Sequence, residues 1–312
     1  MEYEHRPVML EEVLDGLRVR PGGVYLDCTV GGAGHLRAIA ERARPGRVIG
    51  LDRDPAAVAA ARERLVGLEA TVVQADFRRL REVLDGLGIE AVDGVLFDLG
   101  VSSHQLDTPG RGFSYREDGP LDMRMDPGQG VTAADLVNGL PREQLARIIR
   151  EFGEERWADR IAAAVCRSRP VSTTGELTGV ILGALPARAR GGPRHPARRT
   201  FQALRVAVNG ELDGLAEALE AAVESTRRGG RICVVAYHSL EDRIVKGTLR
   251  HLATDCLCPP QLPVCMCGGG RARLRLVSRL TPLPAEREEN PRSRSARLRV
   301  AERLVLGVAE GE

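Results

Sequence analysis

The first hundred residues alternate between short apolar segments and segments with helical spacing, and this alternation limits the fold more than any other feature. The apolar segments 24–30, 47–54, 70–77 and 92–100 are rich in valine, isoleucine and leucine. Because parallel strands need a crossover connection, usually a helix, four such strands separated by helices predict a parallel sheet with right-handed crossovers.

The alternation stops between about residues 109 and 196. This stretch contains helical segments such as 142–168 but no convincing strand. We therefore predict an inserted helical domain over 109–196. The main domain would then consist of residues 1–108 and 197–312.

The strand pattern resumes after this insertion. One long amphipathic helix is predicted over 202–226, followed by a strand over 231–238. Two closing strands are predicted within 274–280 and 295–304. Together with the first four strands, these segments predict an α/β fold with a seven-stranded, mostly parallel sheet.

The composition sets broad limits on function. The 45 basic and 43 acidic residues give a net charge of only +2, so any surface for a polyanion must be local. Aromatic residues make up 3% of the chain, which disfavours a sheet that stacks bases on several exposed rings.

The N-terminus lacks the features of a secretory signal and no segment approaches a membrane span, so we expect a cytoplasmic protein.

Small and polar residues follow the carboxyl ends of the predicted strands, where open α/β sheets bind their ligands. The small residues of 31–35 follow the first strand. Asp52 ends the second strand, as expected of a carboxylate that accepts hydrogen bonds from both ribose hydroxyls of a nucleoside. Asp76 and Phe77 follow the third strand and suit an adenine edge and face. Asp98 ends the fourth.

A dinucleotide-binding dehydrogenase would also combine a glycine loop with a distant acid. Its GxGxxG pattern, counted from Gly32 and Gly34, reaches Arg37 where a third glycine is required. Pyrophosphate binding is therefore poorly supported. A loop whose glycines only turn a strand into a helix is a further alternative, which is weakened because Asp52, Phe77 and Asp98 end successive strands.

Several segments together resemble one family, the bacterial 16S rRNA cytosine-N4 methyltransferases, also called the RsmH or MraW family. They are 5–17, 51–55, 97–107, 111–126, 195–212, 237–246 and 290–302. Within them, GPLDMRMD and HSLEDRIVK are far more specific than any glycine loop. The resemblance covers nearly the whole chain, and it implies a Rossmann-like class I methyltransferase fold with an inserted helical substrate-recognition domain.

The resemblance also implies a reaction and its partners. The cofactor would be S-adenosyl-L-methionine, and the substrate would be the N4 amine of the cytidine at position 1402 of 16S rRNA in the small ribosomal subunit. Neither a membrane nor DNA is expected as a partner. A non-catalytic ribosome assembly factor is the alternative, but it would not need the nucleoside-binding residues Asp52, Phe77 and Asp98.

The family's cofactor contacts can be carried over to matching positions. They fall on Ala33, Gly34, His35, Asp52, Phe77, Asp98 and Gln105. Most of these are the strand-end positions already identified from the residues themselves. The family often has glycine at the position of Ala33, so we expect larger residues there to reduce cofactor affinity.

The residue that handles the acceptor amine is less clearly indicated. A cytosine amine is a weak nucleophile, so an enzyme must align it and accept a proton afterwards. Many amino-methyltransferases have a Pro-Pro-aromatic motif after the fourth strand, but Asp98 is followed here by Leu-Gly-Val-Ser. Carbonyl groups of this loop, Asp98 or His238 are the candidates. We predict a catalytic role for His238, with structural capping as its alternative.

The segment 186–199 has five arginines, no acid, and several prolines and glycines. This composition favours an irregular loop that contacts phosphates. The alternative is a solvated linker in an arginine-rich protein.

Four cysteines near the C-terminus form two CxC pairs, Cys256, Cys258, Cys265 and Cys267. Four thiolates can close a tetrahedral structural zinc site. A reduced, loop-packed cluster is an equally supported alternative, because this spacing differs from the usual CxxC knuckle.

Overall fold

The computed structural model describes residues 7–128, 130–191, 195–256, 258, 262, 266 and 271–304. These residues form two compact units. The first comprises the described parts of Met1–Gly100 and Asp213–Glu312, and the second comprises those of Val101–Leu212. Each unit has apolar core clusters of its own.

A seven-stranded sheet runs through the first unit. Its strands are β1 Val24–Asp27, β2 Arg47–Asp52, β3 Ala70–Gln74, β4 Val92–Asp98, β5 Thr226–Ala236, β6 Leu274–Leu280 and β7 Arg297–Arg303. They lie in the order β3-β2-β1-β4-β5-β7-β6. Strands β1 to β5 are parallel, whereas β7 is antiparallel to both β5 and β6. The predicted α/β fold with seven mostly parallel strands is confirmed.

Helices cover both faces of this sheet. Numbered in chain order across both units, those of the first unit are α1 Leu10–Leu17, α2 Gly34–Ala43, α3 Pro55–Arg64, α4 Leu80–Gly86, α12 Leu215–Ser225, α13 Ser239–Leu252 and α14 Pro284–Glu289. Tyr25 packs into the core beneath α1 to α3, and its neighbour Leu26 packs beneath α4, α12 and α13. Successive side chains of a strand point to opposite faces of the sheet, so each strand contributes residues to the cores on both faces.

The second unit is helical. Its helices are α5 Ser103–Asp107, α6 Ala133–Gly139, α7 Arg142–Gly153, α8 Ala158–Arg167, α9 Thr174–Ala184, α10 Ala187–Arg190 and α11 Arg198–Asn209. The helical segment predicted over 142–168 is interrupted at Glu154, which has a left-handed φ of 48°. The predicted insertion ended at residue 196, whereas this unit includes α11, because Phe201 and Leu204 of α11 belong to its core.

The single long helix predicted over 202–226 is wrong. Helix α11 ends at Asn209, and Gly210 and Gly214 both have left-handed backbone, with φ of 55° and 67°. Glycine adopts this conformation without steric cost and commonly ends a helix. Within the described ranges, no helix is long and apolar enough to cross a membrane.

Asp93 joins three segments at the amino-terminal edge of the sheet. Its Oδ1 accepts a hydrogen bond from Arg20 Nη2 at 2.8 Å. Its Oδ2 accepts hydrogen bonds from Val24 N at 2.8 Å and from Arg227 Nη1 at 3.2 Å. Burial favours the neutral carboxyl group, but the amide and the two guanidinium groups outweigh it and lower the pKa of Asp93.

We expect Asp93→Asn to lower the free energy of unfolding by about 1–3 kcal/mol near neutral pH, because buried charge-assisted hydrogen bonds are weakened. A carboxyl group with a lowered folded pKa stabilises the protein above its unfolded pKa, and this contribution disappears as the pH falls through the folded pKa. Urea unfolding near pH 7 and near pH 3 should therefore show a smaller difference from the wild type at the acidic pH. An equal difference at both pH values would contradict this role. Asp85→Asn, at an exposed carboxylate of α4, is the control.

Candidate active site

The loop between β1 and α2 lies at the carboxyl edge of the sheet. Gly31 and Ala33 have left-handed backbone, with φ of 48° and 60°. This conformation costs a non-glycine residue about 1–2 kcal/mol, so a glycine at position 33 would relieve strain. Ala33 is fully buried, and a Cβ added at Gly34 would lie 2.5 Å from Pro7 Cγ. Neither position has room for a larger side chain.

Asp52 ties this loop to the end of β2. Its Oδ2 accepts a hydrogen bond from Gly31 N at 2.8 Å, and its Oδ1 accepts one from Asp54 N at 2.9 Å. Burial raises the pKa of Asp52 to about 6, although both amides oppose this shift. Each carboxylate oxygen offers two acceptor sites, so both can still accept a hydrogen bond from a ligand.

A second buried carboxyl group, Asp27, was missed by the sequence analysis. Its side chain is 1% exposed, and its Oδ1 accepts hydrogen bonds from Thr29 N at 3.0 Å and from Thr29 Oγ1 at 3.4 Å. The same hydroxyl oxygen accepts a hydrogen bond from Asp98 N at 2.6 Å. Burial raises the pKa of Asp27 to about 7. The ends of β1 and β4 are thus joined through Thr29.

Asp98, at the end of β4, is held by two further side chains. Its Oδ1 accepts a hydrogen bond from the Tyr237 hydroxyl at 2.8 Å. Its Oδ2 lies 3.4 Å from His35 Nδ1. Tyr237 follows β5, so this network connects residues from three places in the sequence. Tyr237 was also missed from the sequence, since nothing near it in the chain indicates its partner.

His35 places both ring nitrogens against acceptors. Its Nε2 lies 3.0 Å from the Val8 carbonyl oxygen, while Nδ1 faces Asp98. An imidazole ring can donate from both nitrogens only when it is protonated. Burial opposes protonation, but Asp98, with a smaller contribution from Asp27, outweighs it and raises the pKa of His35. The two acceptors therefore favour the protonated form of His35 at this edge.

Asp76 and Phe77 follow β3, as predicted. The Asp76 carboxylate accepts hydrogen bonds from Arg78 N at 3.0 Å and Arg78 Nε at 2.8 Å, and it lies 3.4 Å from Arg53 Nη2. Phe77 is partly buried and packs edge-on against Phe97, with ring centroids 6.1 Å apart. The internal partners of Asp76 leave Phe77 as the better candidate for a nucleobase contact here.

His238 forms the amino-terminal cap of α13. Its Nδ1 accepts a hydrogen bond from Glu241 N at 3.4 Å, and the Glu241 carboxylate accepts one from His238 N at 3.2 Å. Its Nε2 lies 3.2 Å from Glu241 Oε1. This reciprocal arrangement is a capping box. The capping hydrogen bond occupies the Nδ1 lone pair, which a general base would need to accept a proton. The catalytic role of His238 stays a prediction.

Gln105 lies in the second unit. It occupies the third position of α5 and forms a capping box with Ser102, whose amide donates to Gln105 Oε1 at 3.0 Å. The side chain is 3% exposed. Its predicted cofactor contact remains a prediction.

Two sequence motifs lie partly outside the described residues. Cys265 and Cys267 are outside them, so the predicted zinc site with Cys256 and Cys258 stays a prediction. In the arginine-rich segment 186–199, residues 192–194 are likewise outside. Among the described residues of this segment, Ala187–Arg190 form the short helix α10, and Arg198 and Arg199 begin α11, where an irregular loop was predicted.

The chain matches the MraW methylase family over residues 2–304. The protein belongs to this family. It is 52% identical over 318 residues to Ribosomal RNA small subunit methyltransferase H of Symbiobacterium thermophilum, with 98% of this chain and 99% of that protein covered. It is 53% identical over 312 residues to the protein of the same name from Geobacter sulfurreducens, with 97% and 100% covered.

This MraW methylase therefore has the class I methyltransferase fold that its sequence predicted. The predicted cofactor residues of its first unit lie at the carboxyl ends of β1 to β4, and they are Ala33, Gly34, His35, Asp52, Phe77 and Asp98. The structure adds Asp27, Thr29 and Tyr237 to the same edge. An acid inside an otherwise apolar strand is the one signal that could have identified Asp27, since a buried carboxyl group is costly without a partner.

We predict that Asp98→Asn lowers the pKa of His35, because burial of the imidazolium is then no longer offset by a neighbouring carboxylate. Histidine titration by NMR, with the His35 signal assigned from a His35→Gln variant, measures this change. Tyr237→Phe is the matched control, since it removes a hydrogen bond to Asp98 and keeps the carboxylate. An unchanged pKa of His35 in Asp98→Asn would contradict the ion pair.

Proposed function

We propose that this MraW methylase transfers a methyl group from S-adenosylmethionine to the N4 amine of cytidine 1402 in 16S rRNA of the small ribosomal subunit. Relatives named Ribosomal RNA small subunit methyltransferase H support the substrate class. The observation that carries the chemistry is the row of Asp52, Asp27 and Asp98 at the ends of adjacent strands β2, β1 and β4. This row offers one carboxylate for a nucleoside and another for an amine.

The residues of this edge fit the cofactor. The free acceptor sites of Asp52 suit the two ribose hydroxyls, and the partly exposed ring of Phe77 offers an apolar face for adenine. The small side chains of the loop around Ala33 and Gly34 let the loop backbone approach the methionine portion closely. When bound, S-adenosylmethionine supplies an electrophilic methyl group on a sulfonium centre.

We infer that Asp98 orients the acceptor amine. Its hydrogen bond from Tyr237 and its contact with His35 fix the carboxylate, and its remaining acceptor sites can take an N–H of the cytosine amine. Positive charge develops on this nitrogen during methylation, and a fixed carboxylate stabilises that charge without reorganising. His238 is less suited to this task because Glu241 N already donates to its Nδ1.

We also propose that the helical unit Val101–Leu212 recognises the RNA substrate, and that the protein acts in the cytoplasm. A stacked cytidine must be extruded to reach the site, which costs a few kcal/mol.

Asp52→Asn should weaken S-adenosylmethionine binding by about tenfold or more, because a hydrogen bond to a charged acceptor contributes about 1.5–3 kcal/mol. Calorimetric titration at neutral pH measures the loss. Asp15→Asn, at an exposed carboxylate of α1, is the control and should bind as the wild type does. Wild-type affinity in Asp52→Asn would exclude Asp52 from the ribose site.

His238→Asn and His238→Ala distinguish capping from catalysis. Asparagine is among the best residues for an amino-terminal cap, whereas alanine costs about 1 kcal/mol there. We expect the asparagine variant to retain near-wild-type turnover and stability, and the alanine variant to be less stable. If both variants lose about 100-fold or more in kcat with unchanged cofactor affinity, His238 is a general acid–base residue instead.

The direct test of the function is transfer of labelled methyl from S-adenosylmethionine to small ribosomal subunits that lack the modification, with naked 16S rRNA as a parallel substrate. Mass spectrometry of mapped fragments should find N4-methylcytidine at position 1402. Cofactor binding with no transfer to either substrate, or methylation at another atom, would contradict the assignment.

A further inference from the structure

A groove runs between α8 and α9 in the helical unit. Its volume is about 270 Å³, and it is lined by Arg160, Ala164, Arg167, Ser168, Val180, Gly183 and Ala184. Arginines and a serine form its polar part, and the apolar part consists of alanine, glycine and one valine. None of the sequence motifs discussed above contributes to this groove.

The two arginines of this groove are exposed and uncompensated. Within the described part of the chain, neither Arg160 nor Arg167 has a hydrogen-bond or ion-pair partner. The nearest acid along α8 is Asp159, whose carboxylate is already 2.6 Å from Arg150 Nη2. The groove therefore presents two guanidinium groups without a balancing carboxylate.

The α9 side of the groove is open at Gly183. Gly183 is exposed, and a Cβ added to it would meet no atom within 4 Å. Glycine inside a helix costs about 1 kcal/mol relative to alanine. No neighbouring atom requires this glycine, so the groove has room beside it. A ligand backbone can approach α9 closely at this position.

Further cations lie near the start of α8. The guanidinium groups of Arg156 and Arg188 lie 5.1 Å and 6.0 Å from the centre of the Trp157 ring. Arg156 lies in the turn that precedes α8, four residues before Arg160 in the sequence. The arginines around Trp157 thus add positive charge close to the start of the helix that lines the groove.

We propose that this groove binds the sugar–phosphate backbone of the RNA substrate, an inference that rests on the proposed function. Guanidinium forks match phosphate oxygens in bidentate geometry, and serine hydroxyl and small side chains allow close approach. An acidic protein segment would fit the charge, but specific protein partners bury aromatic or large aliphatic anchors in pockets. The apolar lining here consists of two alanines, one glycine and one valine, without an aromatic side chain, leucine, isoleucine or methionine, which favours RNA.

Two kinds of variant test this surface separately. Arg160→Gln with Arg167→Gln removes charge, and Arg147→Gln on α7 is the matched control, because Arg147 is also exposed and does not line the groove. Gly183→Leu fills the groove without changing charge. Gly179→Leu is its control, since Gly179 is equally open, lies one turn earlier in α9 and is not part of the lining.

The measurement is the affinity for naked 16S rRNA across a salt series, with thermal unfolding as a folding check. We expect the double variant to bind about tenfold or more weakly near physiological salt, with a salt slope reduced by about 0.7 for each arginine removed. Gly183→Leu should bind several-fold more weakly at an unchanged slope, and both controls should match the wild type. Cofactor affinity should be the same in all variants.

Wild-type RNA affinity and slope in the double variant, or an equal loss per arginine in Arg147→Gln, would overturn the assignment. If the variants give such a result and the wild-type protein methylates cytidine 1402, the groove is not an RNA site and the proposed function stands. A wild-type protein that binds rRNA through the groove but methylates nothing rejects the proposed function alone.

Discussion

The site depends on one constraint, namely that parallel strands bring their carboxyl ends to the same edge of the sheet. In the order β2-β1-β4, this constraint places the acids that end or follow each strand side by side, with Asp27 on the middle strand. Carboxylates gathered and buried in this way resist ionisation, and burial raises the pKa of Asp27 to about 7 and of Asp52 to about 6. The surrounding residues must therefore hold this edge together.

They do so with hydrogen bonds and one buried histidine. Thr29 links Asp27 to the backbone of Asp98, and His35 contacts Asp98, which favours the protonated imidazole and raises the pKa of His35. A site arranged in this way is already polarised before any ligand binds. Fixed dipoles and charges of this kind assist a reaction without having to reorganise. Asp27 and Asp52 make the edge sensitive to pH, because protonation of either carboxyl group removes an acceptor.

The sequence predicted those parts of the molecule that local patterns determine. Apolar runs and the acids that follow them located β1 to β4 and the cofactor edge, because strand burial and strand ends leave a local signature. The division of the helix predicted over 202–226 was missed, since its apolar period continues on both sides of the left-handed Gly210. The contact between Tyr237 and Asp98 spans 139 positions, and no local pattern encodes such a pair. The capping role of His238 was named from the sequence as an alternative, and its box with Glu241, three residues later, is present in the structure.

The most direct test is whether the buried carboxylate of Asp52 binds the cofactor. The pH dependence of cofactor affinity reports this, measured by calorimetric titration of S-adenosylmethionine into the wild-type protein from about pH 5 to about pH 8. Two buffers of different ionisation enthalpy report the protons exchanged on binding. With a pKa of about 6 for Asp52, we predict weaker binding and net proton release as the pH falls through this value. Constant affinity with no proton exchange over the whole range would contradict the assignment of a buried carboxylate to the ribose site.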